Sequence, residues 1–163
     1  MKDLLNDISE KAIKYEDFNF TEKQIENQWF GNIPATEREI LEAEIRLGVI
    51  LPEDYKEFLT ITNGFSAPND IEPSFQKIEE IDLLENVIDG IAEAYNYLPE
   101  LRTAIIIGGK LEEQYFLLLP PKTQNEKWGY WKFANWQPGE VPFENLREYF
   151  ENVLDFIIDE HEK

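Results

Sequence analysis

Carboxylates are the most abundant reactive groups in this chain, with 34 Asp and Glu against 15 Lys and Arg in 163 residues. A pair of them could run a glycosidase-type hydrolysis, which needs one acid of raised pKa and one ionised partner about 5–9 Å apart. With so many acids, any given pair reads first as solvated surface, and a carboxylate-dependent hydrolase is the most distant of the readings. Other reactive types are scarce. Cys is absent, which excludes a thiol nucleophile, a disulfide framework and a Cys-based zinc site. The one His, His161, stands near the C-terminus, so His-dependent triads and His-rich metal clusters are excluded as well. Gly108-Gly109-Lys110 runs into Leu111 rather than Ser or Thr, and Ala104 stands where a phosphate loop has its first glycine. Ser74-Phe75-Gln76-Lys77 has Ser-x-x-Lys spacing without the Ser-Asp-Asn and Lys-Thr-Gly elements that accompany such a nucleophile. His161-Glu162 lacks the second His of a metalloprotease helix, and no Asp-x-Asp-x-Asp-Gly calcium loop occurs. The inventory predicts no catalytic residues, no metal and no cofactor.

Binding suits the composition better. The charges sum to 15 minus 34, or -19. Such a surface repels phosphate backbones and anionic headgroups, which argues against nucleic acid and membranes, and it attracts a basic partner. Two features are candidates for the contact. In the run Trp128-Gly129-Tyr130-Trp131-Lys132-Phe133-Ala134-Asn135-Trp136, strand alternation puts Trp128, Tyr130 and Trp136 on one face and Trp131 and Phe133 on the other. One set should pack on helices; the other should line an edge, a groove or a partner, unless the fold covers both. In the last helix, Glu144, Glu148, Glu151, Asp155 and Asp159 fall within an arc of about 80°. Leu146, Tyr149, Phe150, Val153, Phe156 and Ile157 lie opposite, as core. The bland reading of the acidic stripe is a solvated face. A second acidic candidate, Glu112-Glu113, sits on the turn leading into Tyr115, where Trp131 or Trp136 could supply an aromatic anchor.

The elements that position these residues follow from local signals. Thr36-Glu37-Arg38-Glu39 is a capping box opening a helix with Ile40, Ala43 and Leu47 on one face and Gly48 at its end. Pro52 suits the start of a second helix, whose Tyr55, Phe58, Leu59 and Thr62 have the spacing of a buried face; Asn63-Gly64 ends it. Thr21-Glu22-Lys23-Gln24 offers a weaker box near the N-terminus. Residues 66–74 read as a loop. A helix is expected from Asp82, with Leu84, Val87, Ile88, Ile91 and Tyr95 inward, ended by Pro99. Strands are expected at Ala104–Ile107, Tyr115–Leu119 and Trp128–Phe133, then a turn at Pro138-Gly139 and a final helix from Phe143 to Ile158. Helices at the ends and strands between predict a single α+β domain over 1–163, a central antiparallel or mixed sheet flanked by N-terminal helices and a C-terminal helix. The start, Met1 to Asp7, breaks any apolar run before a signal core could form, and the longest apolar stretches are strand-sized. A cytoplasmic protein is expected.

From Trp29 to Gly64 the order Trp29, Pro34-Ala35-Thr36, Ile40, Glu44, Leu47-Gly48, Leu51-Pro52, Tyr55, Phe58-Leu59, Asn63-Gly64 resembles the opening signature of the SUKH superfamily, Smi/Knr-type branch. Agreement downstream is looser: Ile105-Ile106-Ile107-Gly108, Tyr115–Leu119 and a C-terminal helix after Pro142-Phe143. Pro142 and Leu111-Glu112-Glu113 stand where the family often has a Ser-Phe pair and a Gly-Asp step. The resemblance implies an α+β fold and, in bacteria, a non-enzymatic immunity protein that neutralises a cognate toxin domain, often a nuclease. The alternative it implies is an intracellular scaffold or regulator of the cell-wall-assembly type. Signature residues are expected to be structural: Leu47, Leu51, Tyr55 and Phe58 in the core, Gly48 and Asn63-Gly64 at turns, and Glu44 accepting amides of a nearby loop. Neither the toxin nor the oligomeric state is legible in the sequence.

Overall fold

The computed structural model describes residues 1–134 and 140–162. Four helices lead: α1 (Lys2–Tyr15), α2 (Glu22–Asn27), α3 (Glu37–Leu47) and α4 (Glu53–Ile61). After the loop come β1 (Asp82–Leu83), the single-turn helices α5 (Leu84–Val87) and α6 (Ile91–Ala94), then β2 (Ile105–Gly108), β3 (Gln114–Leu119), β4 (Gly129–Ala134), β5 (Glu140–Phe143) and the long α7 (Leu146–Glu162). The strands form a five-stranded antiparallel meander in sequence order, and the fold is α+β.

Both faces of the sheet are covered, so alternate residues of each strand enter different cores. Ile105, Ile107, Phe116, Leu118 and Tyr130 face α1, α3, α4 and α7. Ile106, Tyr115, Leu117, Leu119 and Phe133 face the short helices between β1 and β2. This is why β2 and β3 read as unbroken apolar runs rather than alternating ones. The aromatic run obeys the same rule: Trp128 packs on the first core, Trp131 on the second. The Pro138-Gly139 turn and Trp136 lie outside the described residues.

Three elements depart from the expected ones. Helix α1 carries Leu4, Leu5, Ile8 and Ala12 into the core without any side-chain cap at Met1, so it lacked the local signal that marks α2 and α3. It packs along α7, where Tyr15 donates to Glu162 at 2.8 Å and stacks on His161 at 5.2 Å. The helix expected from Asp82 is instead a strand residue pair followed by two single turns. The Leu84 amide donates to the Ala104 carbonyl at 2.8 Å, tying this end to the sheet, and Gly90, at φ 77°, separates α5 from α6. The last helix begins later than Phe143 and runs beyond Ile158. Phe143 belongs to the edge strand β5, where Pro142 needs no ladder donor, and the Asn145 side chain caps α7 through the Glu148 amide at 2.8 Å. Phe156, expected on the core side of that helix, is 41% exposed.

Candidate protein-binding site

The signature residues assemble around a chain of isolated bridges, Gly31–Phe65, Phe65–Phe75 and Phe75–Gly108, which joins the N-terminal half to the end of β2. Thr36 and Glu39 close both arms of the capping box, at 3.2 and 3.4 Å. Glu44 is mostly buried; its carboxylate accepts the Leu51 amide at 2.7 Å and lies 3.6 Å from the Lys56 ammonium. Leu51, Pro52, Tyr55 and Phe58 are buried, whereas Leu47 is partly exposed and Pro34 exposed. Asn63 accepts the Ile78 amide at 2.7 Å and donates to Glu79 at 3.1 Å. Gly64 follows at φ 89°, where an added Cβ would sit 2.9 Å from the Phe75 carbonyl oxygen. Trp29 is half-buried, edge-on to Phe65 at 5.6 Å. These contacts position backbone; none presents a reactive group.

Gly48 caps α3 at φ 69° with nothing within 4 Å of its would-be Cβ. Any penalty there is backbone strain rather than a clash with neighbours. Gly48→Val is expected to lower stability by about 1–2 kcal/mol and Gly48→Asn by much less. Equal denaturation midpoints for the two variants would contradict the assignment.

Tyr55 poses the opposite case, because its hydroxyl is fully buried with no hydrogen-bond partner among the described residues. Burial pushes the phenol pKa well above its ordinary value. A group whose folded pKa is raised binds its proton more tightly in the folded state. Its contribution is present below the unfolded pKa of about 10 and is lost as pH climbs above that. Tyr55→Phe is therefore expected to raise stability by about 1 kcal/mol at neutral pH and to flatten the alkaline decline above about pH 10. Urea melts at neutral and alkaline pH measure both, and a destabilised variant would show that the hydroxyl is paired.

The loop before Phe75 builds a cavity of about 270 Å³. Its walls include the carboxylates of Asp70, Glu72, Glu112 and Glu113 and the half-exposed side chains of Phe18 and Ile71. Glu72 is the floor, 8% exposed. It receives the Lys132 ammonium at 2.9 Å and the Tyr149 hydroxyl at 2.8 Å. Burial, then the adjacent Glu72 charge, holds the Tyr149 phenol well above the usual range. The loop is bent by Asn69, whose side chain accepts the Ile71 and Glu72 amides at 3.1 and 3.0 Å. Glu112 is tied to the same loop, accepting the Ser74 amide at 3.2 Å, and Glu113 is exposed beside it. Sequence reasoning singled out Glu112 and Glu113 but missed Asp70, Glu72 and Lys132, because Lys132 and Tyr149 meet Glu72 across 60 and 77 positions of sequence.

The SMI1 / KNR4 family (SUKH-1) profile matches residues 34–159, from the signature helices through the sheet into α7. The chain belongs to the SUKH-1 family. No curated protein matches the sequence. Membership is consistent with an immunity role and also with a regulatory role of the Smi/Knr type. No helix among the described residues is long and apolar enough to cross a membrane.

In this SUKH-1 chain the remaining partner candidates are dispersed. Glu144, Glu148, Glu151, Asp155 and Asp159 are all exposed along α7 and the residues before it, but Glu151 is paired with Arg147 at 2.8 Å and Glu148 accepts the Glu144 amide. Trp131 is half-buried against the second core, opposite Leu117 and Pro142. The Glu112-Glu113 turn adjoins the Gln114–Ala134 end of the ladder, about 10 Å along the strand from Trp131 at 3.4 Å per residue. The structure thus does not bring Trp131 to that turn.

Proposed function

We propose that this SUKH-1 chain is a cytoplasmic, non-enzymatic immunity protein that binds and neutralises a cognate toxin domain of basic charge, a nuclease domain being the class its surface suits. The observation that carries this reading is the carboxylate-walled cavity, in which Asp70, Glu72, Glu112 and Glu113 converge on a chain of net charge -19. A nuclease must welcome a polyanion, so its active-site surface is basic. An acidic protein can occupy that surface in place of phosphate, and long-range attraction speeds the encounter. Glu72 is already neutralised by Lys132, which leaves Asp70, Glu112 and Glu113 at the mouth to meet Lys or Arg. The acidic stripe of α7 would then steer association without anchoring it.

The test is co-expression with a toxin domain encoded in a neighbouring reading frame. Rescue of growth, with a stable complex isolated from the cells, supports immunity. No rescue and no complex with any neighbouring toxin would favour the regulator reading.

A further inference from the structure

Asn63-Gly64 is the one Asn-Gly pair in the sequence. In a flexible chain, Asn before Gly is the asparagine most prone to deamidation. The Gly64 amide nitrogen, having lost its proton to base, attacks Asn63 Cγ. A carbon–nitrogen bond closes a succinimide ring, and the side-chain nitrogen leaves as ammonia with a proton drawn from water. Water then opens the ring at either carbonyl, leaving aspartate or isoaspartate. Glycine favours the reaction because no side chain shields the attacking nitrogen and the backbone reaches the bent geometry freely.

The fold restrains both partners of that reaction. Asn63 is 7% exposed, its Oδ1 accepts the Ile78 amide at 2.7 Å and its Nδ2 donates to Glu79 at 3.1 Å. Its main chain is held as well: the amide donates to the Ile33 carbonyl at 3.3 Å, and the carbonyl accepts the Asn32 side chain at 2.9 Å. Beyond it, the Thr62 hydroxyl donates to the Gly64 carbonyl at 2.5 Å and the Phe65 amide to the Phe75 carbonyl at 3.1 Å. To reach the Gly64 nitrogen, the carboxamide must give up both of its bonds while the turn it closes on is fixed from both sides. The same contacts keep the labile pair in place. Gly64 stands at φ 89°, and a Cβ there would lie 2.9 Å from the Phe75 carbonyl oxygen, so a side chain is strained and crowded. At position 63 one short side chain must both accept and donate, which a carboxamide does. Aspartate lacks the donor and sets two carboxylates where the bond to Glu79 now stands. Isoaspartate adds a methylene to a main chain that the Phe75 and Gln76 backbone leaves no room to lengthen.

We infer that Asn63 is a deamidation site which the native fold silences and unfolding opens, and that the isoaspartate product cannot rebuild the turn. Each chain that stays unfolded long enough is thereby marked and kept from returning to the native state. The inference does not depend on the immunity reading, because the reaction needs only this chain and water.

Native and guanidinium-unfolded samples of the full chain are aged side by side in one mildly alkaline buffer. Peptide mapping by mass spectrometry follows Asn63, and protein isoaspartyl methyltransferase scores isoaspartate. Conversion is expected to run about a hundredfold or more faster in the unfolded sample, since in the native one it must wait for the chain to open. Gly64→Ala is informative without folding: in guanidinium its Asn63 should convert roughly tenfold more slowly, because a side chain now shields the nitrogen. After removal of guanidinium, unmodified chains should regain native tryptophan fluorescence and isoaspartate-bearing chains should not. Native conversion at the unfolded rate would overturn the inference. So would an unchanged rate in Gly64→Ala, or isoaspartate-bearing chains that refold and melt as wild type does.

Discussion

Glu72→Ala is expected to lower the stability of this chain by roughly 3 kcal/mol, the largest effect among its charged positions. The variant orphans two groups at once. The Tyr149 hydroxyl, fully buried among Phe75, Phe116 and Phe143, has no other acceptor among the described residues. The Lys132 ammonium loses its one ion pair among the described residues, though its side chain is 19% exposed and recovers some water, which keeps the cost toward the low end for a broken buried pair. Glu72→Gln keeps an acceptor for Tyr149 and removes only the charge, so it should cost about half as much. A smaller loss again is expected for Tyr149→Phe, where donor and packing are exchanged without cavity formation. Urea denaturation at constant m-value reads all three. Equal midpoints for Glu72→Ala and wild type would mean that the network carries no stability.

The second large effect is on binding. Asp70→Lys with Glu113→Lys should weaken the proposed complex with a toxin domain by about ten- to a hundredfold, slowing association and speeding dissociation. These two are chosen because Glu72 and Glu112 also hold the fold, through Tyr149 and the Ser74 amide. Glu148→Lys with Asp155→Lys is the charge-matched control. Each reversal adds two charges, so both double variants move the net charge from -19 to -15. The helix pair should slow association a few-fold, and that effect should fade as salt rises, since screening at physiological ionic strength acts over about 8 Å. Surface plasmon resonance at low and high salt separates the two surfaces. Identical losses for both pairs would show that only total charge matters, and the cavity would then have no special part in the contact.

Local chemistry decided much of the architecture. Capping boxes at Thr21 and Thr36, the left-handed Gly48, the apolar runs at Ile105–Ile107 and Tyr115–Leu119 and the inward face of α4 are short-range patterns, and each formed the element its residues favour. The family was likewise legible, because its signature is a spacing of turns and core residues within one stretch of chain. Elements whose stability comes from elsewhere were not. Helix α1 has no cap and is held by α7, while the expected helix after Asp82 yields to the pull of Ala104 on Leu84 and to the break at Gly90. Of the acidic cavity only the Glu112-Glu113 turn was legible in sequence; the rest of it belongs to the tertiary structure. Composition made a strongly acidic surface predictable, yet it could not say that Asp70 and Glu113 share a cavity, that Lys132 cancels Glu72, or that Gln76 is left unmatched among the described residues. Charge is a sum over residues and survives any arrangement of the chain. A cavity, an ion pair across 60 residues and an orphaned amide exist only once packing has brought distant segments together.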